Sequence, residues 1–333
     1  MGRFAVPLAI GGVIAVTLAA VTGLRPGGAR RGSRSGFQAV ATACPGGGVL
    51  HLLAVTQAGG LLAATYQEPG RWSDWQDLRP PTPVRDVAAS VPTADQLEVS
   101  CADVDGQVWT AVLQLSGAVP RWSRLPGSTR NGRIARLAAL SMSPGHGEIF
   151  AVDEYGGVVH NWHHRDGIWQ AEWTRMRPTS ECRDVAASVP TSSLMEIFTV
   201  GTGQRILNHW YVAGSGWQEW TEGFEAGLGR ACVALDVLNG WDEHQEVFVV
   251  RADGGISHRD HWQGQPKPGW RDLDAPAEMR DVACGTTSTG HLEVFGVSRA
   301  GELWQKSYPD GADWSGWRPV GIRRAPGELA SAE

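Results

Sequence analysis

Six tryptophans, Trp75, Trp122, Trp173, Trp220, Trp270 and Trp317, recur at spacings of 47, 51, 47, 50 and 47 residues. So regular a period fits few folds. Around each Trp the chain runs in one order. A strand of small apolar residues such as DVAAS comes first. A Glu-containing alternation follows: LEVS at Leu97, GEIF at Gly147, MEIF at Met195, QEVF at Gln245 and LEVF at Leu292, with LHLL at Leu50 in the first unit. Next comes a glycine turn (AGG, VDG, YGG, GTG, ADGG, RAG), where Asp-Gly and Gly-Gly supply the positive φ of tight hairpins. A strand rich in Trp and His and a closing W-x-x-W-like segment complete the unit. Four strands in a repeat of about 40–50 residues are the pattern of a propeller blade, and one blade cannot bury both its faces alone. The chain therefore reads as all-β, a six-bladed β-propeller over residues 37–322.

A longer period lies over the first. RDVAASVPT occurs at Arg85–Thr93 and again at Arg183–Thr191, and a shortened RDVAC begins at Arg280. In the even units Arg is followed by Glu 13 residues on and by Trp 24 further: Arg85/Glu98/Trp122, Arg183/Glu196/Trp220 and Arg280/Glu293/Trp317. The odd units have Gln38-Ala39, Ala135-Arg136 and Val233-Ala234 in place of the Arg-Asp pair. Three copies of a two-blade unit account for this.

The 333 residues carry a formal charge of −6, and the first 36 hold five Arg and no acid, which leaves −11 on the rest. A body this acidic argues against nucleic acid as a partner. Residues 4–24 carry no charge, long enough for a membrane-spanning helix. Residues 1–24 are expected to be a signal peptide or membrane anchor, residues 25–36 an Arg/Gly-rich linker, and residues 323–333 a disordered tail. Contact with a membrane is expected only through this N-terminal segment, and the location is expected to be extracellular or cell-surface. Four Arg after the apolar run pull the other way, since basic flanks favour the cytoplasmic side. Five scattered cysteines with no C-x-x-C read as small buried strand residues, with one disulfide left open.

The segment GHLEVFGVSRAGELWQKSYPDGADWSGWRPVG (290–321) resembles the repeat of PLL-like bacterial β-propeller lectins, and MEIFTVGTGQRILNHWYVAGSGWQEW and RWSDWQDL follow the same order. The resemblance spans about 285 residues and all six units. It implies a propeller that binds fucose or related, often methylated, sugars between blades. Six-bladed fucose lectins, similar in architecture, use Arg, Glu and aromatic residues on the sugar. PLL-type proteins have seven repeats where this chain has six, and its second unit lacks the first Trp of W-x-x-W.

Sugar recognition needs an aromatic face for the apolar side of the ring and planar forks for vicinal hydroxyls, which Arg and Glu provide. The candidate ligand-binding residues are therefore Arg85, Glu98, Trp122, Arg183, Glu196, Trp220, Arg280, Glu293 and Trp317, with Trp210 and Trp304 on the third strands. The competing reading is structural: the Glu as an inter-blade ion pair with an Arg, and the Trp as a packing wedge. His160, His163 and His164, and likewise His258 and His261, read as scaffold or pocket lining, because their spacing is not diagnostic of a metal. No metal and no cofactor is expected. G-x-S-x-G, H-E-x-x-H and phosphate-loop motifs are absent, and the nearest approach to a sialidase-type Asp-box is SCADVDGQVW. Asp86, Asp184 and Asp281 repeat with the symmetry and do not form a unique catalytic pair. The expectation is a non-catalytic, lectin-like glycan binder, with a surface-displayed scaffold for a protein partner as the alternative.

Overall fold

Period-2 alternation gives each repeat strands with two distinct faces, and both must be covered by neighbours. In the computed structural model this is met by six antiparallel sheets arranged in a ring. The structure describes residues 36–320 apart from 69, 115–119, 129, 131, 240–243, 263–264, 267–268, 289 and 310–311. The N-terminal segment, most of the linker and the C-terminal tail expected from sequence lie outside these residues. Among the described residues no helix is long and apolar enough to cross a membrane.

The innermost strands are Phe37–Gly46, Val84–Thr93, Ile134–Leu140, Cys182–Thr191, Cys232–Asn239 and Met279–Ser288. Each contacts the innermost strand of the blades before and after it. Within a blade, consecutive strands pair with one another and none is exchanged with a neighbour; in blades 1 and 5 a fifth short segment also pairs with the third strand. The expected six-bladed propeller is therefore the fold.

One bond recurs at the junctions. The turn between the second and third strands holds a left-handed glycine, and its carbonyl accepts the N–H of the residue that opens the next blade. This bond joins Val84 to Gly59, Ile134 to Gly106, Cys182 to Gly156, Met279 to Gly254 and Phe37 to Gly301, at 2.8–3.1 Å. Gly106 is required twice over: its φ is 76°, and a Cβ there would stand 2.5 Å from the Arg133 Cα. The Phe37–Gly301 bond joins the first blade to the last, so the ring closes as the other junctions do. In blade 4 the left-handed position falls on Gln204, at φ 59°.

Every innermost strand skips one residue of its ladder near its start: Gln38, Arg85, Ala135, Arg183, Val233 and Arg280. The repeated Arg is thus a β-bulge residue, released from pairing and re-aimed by the local kink. The Asp after it turns inward. Asp86, Asp184 and Asp281 are fully buried and accept the backbone N–H of Leu137, Leu235 and Val40, each in the next blade, at 2.7–2.9 Å. Two residues after the repeated Glu, Phe150, Phe198, Phe248 and Phe295 are fully buried; Leu53 and Ser100 hold the same position in blades 1 and 2. All five cysteines are buried and free, which settles the disulfide left open by the sequence.

Candidate functional site

The face of each second strand that carries Glu and Phe looks at the following blade. Phe150 meets Trp217 edge-on at 5.9 Å, Phe248 meets Trp314 at 6.1 Å, and Phe295 meets Trp72 at 5.9 Å. The first Trp of W-x-x-W is therefore one wall of an inter-blade cleft, and the Glu of the preceding blade is its floor. The six clefts are filled differently. Glu98 accepts from His163 Nε2 at 3.0 Å. Glu148 meets His160 and, at 3.3 Å, His146. Glu196 bonds Gln245, which also reaches Ser188 and His261. Glu246 lies between His244 and His258. In blade 1 the place belongs to His51, whose Nδ1 faces Thr65 Oγ1 at 3.1 Å.

The cleft between blades 6 and 1 holds an open cavity of about 570 Å³ lined by Tyr66, Glu68, Gly70, His291 and Arg318. Tyr66 is the aromatic side chain of the lining, and Trp72 packs against it, ring centroids 5.1 Å apart. His291 bridges two acids: Nδ1 faces Glu68, and Nε2 faces Glu293 Oε1 at 3.2 Å. Glu293 is fully buried and held from behind by Gln305 Nε2 at 2.8 Å and Ser307 Oγ at 2.7 Å. Thr287 donates to Glu68, and Tyr66 is hydrogen-bonded to Arg318. The Glu293 bond, reinforced by the charges of Glu293 and Glu68, raises the His291 pKa against the opposing effect of burial. The cleft thus presents Glu68, His291, an Arg fork and a Tyr around one open volume, with Glu293 buried behind His291.

Of the sequence candidates, Glu293 is the one that stands at this cleft. The three Arg/Glu/Trp sets do not come together as sets. Arg85 donates to the Ile134 carbonyl, and burial lowers the pKa of both Arg85 and Arg280. Arg183 is exposed. Glu98 and Glu196 sit deep in the 2/3 and 4/5 clefts, and they meet His163 and Gln245 where the sequence suggested an Arg partner. The closing Trp residues stitch blades together. Trp122, Trp220 and Trp317 donate Nε1–H to the carbonyls of Leu78, Met176 and Leu273 in the preceding blade, at 2.7–3.0 Å. One face of Trp220 stacks on His209 at 4.4 Å. Trp210 stands opposite Glu196 in the ladder, half-buried, and Trp304 is half-buried against the core. Asp103 in the Asp-box-like segment staples its own turn, accepting from the N–H of Asp105 and Gln107 and from Trp109 Nε1.

Sequence reasoning passed over Tyr66, Glu68 and Arg318. Tyr66 aligns with Leu113, His163, Tyr211, His261 and Tyr308 in the other blades, a varied set with no visible motif. Glu68 stands in an outer turn beyond the repeated pattern.

A closed propeller with polar, aromatic-walled clefts between blades is the class that fold and site define. No protein-family model matches the chain, and no curated protein matches it. Solved structures do. The chain is similar to the fucose-specific lectin from Aleuria aurantia at a TM-score of 0.61 and 15% identity, covering 88% of this chain and 99% of that one. It is similar to the BP39L lectin from Burkholderia pseudomallei at 0.58 and 18%, covering 90% and 89%. AofleA from Arthrobotrys oligospora matches at 0.62 and 10%, covering 87% of each chain. At these identities the likeness establishes the fold.

Proposed function

We propose that the protein is a non-catalytic carbohydrate-binding propeller and that a monosaccharide seats in the cleft between blades 6 and 1. The observation that carries this is the coincidence in one open cavity of an aromatic side chain (Tyr66), a carboxylate against an imidazole (Glu68 and His291) and a guanidinium fork (Arg318), with buried Glu293 holding His291 from behind. A sugar ring stacks its apolar face on an aromatic plane while vicinal hydroxyls bond bidentate groups. Structural neighbours support the sugar class: an Aleuria aurantia lectin is in complex with α-methyl-L-fucoside and with Fucα1-6GlcNAc, and SapL1 with α-methyl fucoside. Fucose or a methylated sugar is thus the ligand class to test first. The PLL-like resemblance in the blade 6 repeat points the same way. The bulge Arg residues and Trp210 belong to the proposal as secondary contacts, chiefly exposed Arg183. Display outside the cytoplasm through residues 1–24 completes it, and protease accessibility on intact cells tests that part.

The test is a glycan array followed by calorimetry with α-methyl-L-fucoside on wild type, Arg318→Ala, Glu68→Gln and Arg183→Ala. Loss of binding in the first two, with Arg183→Ala retained, supports the cleft. Loss only in Arg183→Ala moves the site to the bulge at the ring's mouth. No glycan signal from folded protein rejects the proposal in favour of a protein-binding scaffold. For that scaffold the structure offers the exposed Tyr155 and Ile168. They lie on turns at opposite ends of blade 3 and so make no joint apolar patch.

A further inference from the structure

The cleft between blades 5 and 6 is built from different chemistry. His-x-Glu opens the second strand of blade 5 as His244-Gln245-Glu246, and His258 and Asp260 lie two residues apart on the third strand. Residues i and i+2 of a strand share a face, and directly paired residues share it across the ladder. Glu246 pairs with Asp260 in the register, so all four side chains stand on one face of two strands. One donor atom each from His244, Glu246 and Asp260 lies within 4.8 Å of the others. His244 Nε2 is 3.2 Å from Glu246 Oε1, and His258 Nδ1 is 3.1 Å from Glu246 Oε2. His244 and Glu246 are buried; Asp260 is half-buried. His258 is fixed between Phe248, on which it stacks at 5.5 Å, and Trp314, whose edge it meets at 5.2 Å.

We propose that His244, Glu246 and Asp260 form a binding site for one divalent transition-metal ion of the zinc class. Zinc takes imidazole nitrogen and carboxylate oxygen at about 2.0–2.2 Å, which in a tetrahedral site sets donor atoms about 3.4 Å apart. The His244–Glu246 separation already matches, on rigid paired strands and not on a loop. An imidazole nitrogen beside two carboxylate oxygens favours zinc, cobalt or nickel over calcium or magnesium, which take oxygen ligands. His258 acts through Glu246: its hydrogen bond holds the carboxylate in place, the usual part of an outer partner in a metal site. Blade 3 supplies an internal control. His146, Glu148 and His160 repeat the arrangement, but Trp162 faces Glu148 where Asp260 faces Glu246. The third donor is missing there, so blade 5 alone of the two completes the set. This proposal stands independently of the sugar reading.

The experiment uses the whole chain, stripped with chelator and titrated with zinc and, for its visible absorption, with cobalt(II). Wild type is expected to take up one equivalent, with an absorption band of a low-coordinate cobalt site and a melting temperature that rises with zinc. Asp260→Asn and His244→Asn should lose both uptake and the thermal shift, and His258→Asn should weaken binding about 10–100-fold. His146→Asn should bind as wild type does. Asp260→Asn replaces a half-buried carboxylate by its isostere, and tryptophan near-UV dichroism of the metal-free variants confirms that they fold. No uptake by wild type, uptake unchanged in folded Asp260→Asn and His244→Asn, or uptake lost in His146→Asn would each overturn the proposal.

Discussion

At the scale of single residues, the repeated Arg-Asp pair divides two tasks between neighbours. The bulge frees the Arg from the ladder, and the Asp becomes a buried acceptor for the next blade's backbone. Burial raises the Asp281 pKa well above the ordinary range, with Asp184 and Asp86 adding to it, and pushes Asp86 up to about 7. Arg136, whose Nε lies 3.7 Å from Asp184, lowers both values against that trend. What Asp281 contributes is therefore an oxygen lone pair more than a charge. Asp281→Asn, which keeps an oxygen for Val40, is expected to be neutral or stabilising at about pH 8, where an ionised buried carboxyl is unfavourable. Asp281→Ala strands a buried N–H and should cost about 1–3 kcal/mol. Urea melts of both variants decide this; equal losses would contradict the acceptor role. The sequence showed that Arg and Asp repeat together but not that they part. A skipped ladder residue has no compositional mark, since Gln38, Ala135 and Val233 fill the same place.

At the scale of the element, the hairpin turn between second and third strands is also the latch between blades. That places a double demand on one position. Gly106 admits no Cβ without moving the Arg133–Ile134 backbone, so Gly106→Ala should destabilise by more than the roughly 1 kcal/mol expected from conformation alone. Gln204 meets the conformational half of this demand with a side chain that disfavours it, and Gln204→Gly should stabilise by about 1 kcal/mol. Paired denaturation curves check both, and a destabilised Gln204→Gly would show that its side chain has a role of its own. The turns were visible in sequence because positive φ selects Asp-Gly and Gly-Gly. The blade limits were visible because the closing Trp recurs, and in four blades (Trp122, Trp173, Trp220 and Trp317) it gives its indole N–H to the preceding blade. The open cleft was only partly visible. Glu293 belongs to the repeat, but Tyr66 and Arg318 stand at positions that vary freely, and their meeting with His291 depends on ring closure, which no local pattern encodes.

At the scale of the whole molecule, stability should peak below neutrality. Asp86 and Glu196 are pushed up to about 7 chiefly by burial, and burial also raises Asp236 and Asp281 well above the ordinary carboxylate range. The folded state thus holds more protons than the unfolded chain from about pH 4 to 7 or above, and stability falls as pH rises across that window. His163 and His291 are raised by Glu98 and by Glu293, so their contribution is full below about 6.5 and fades as pH climbs through the raised values. Burial lowers His51 and His209 to about 4, so theirs is lost as pH falls from 6.5 toward 4. Glu246 works against its own burial: His244 and His258 hold it at about 2, so its share is lost only as pH drops from about 4.5 toward that value. The melting temperature should therefore rise from about pH 8.5 to 6.5 and fall below about pH 4; a flat or inverted upper limb would be inconsistent with the buried acids. The ring's seam carries a separate consequence. Because each blade is a contiguous stretch and Phe37 docks on Gly301 as Val84 docks on Gly59, the junction of the first and last blades has no privileged place in the architecture. Circularly permuted forms beginning at another junction keep every blade and every latch, and tandem copying of a two-blade segment could have built the closed ring without inventing a separate closing device.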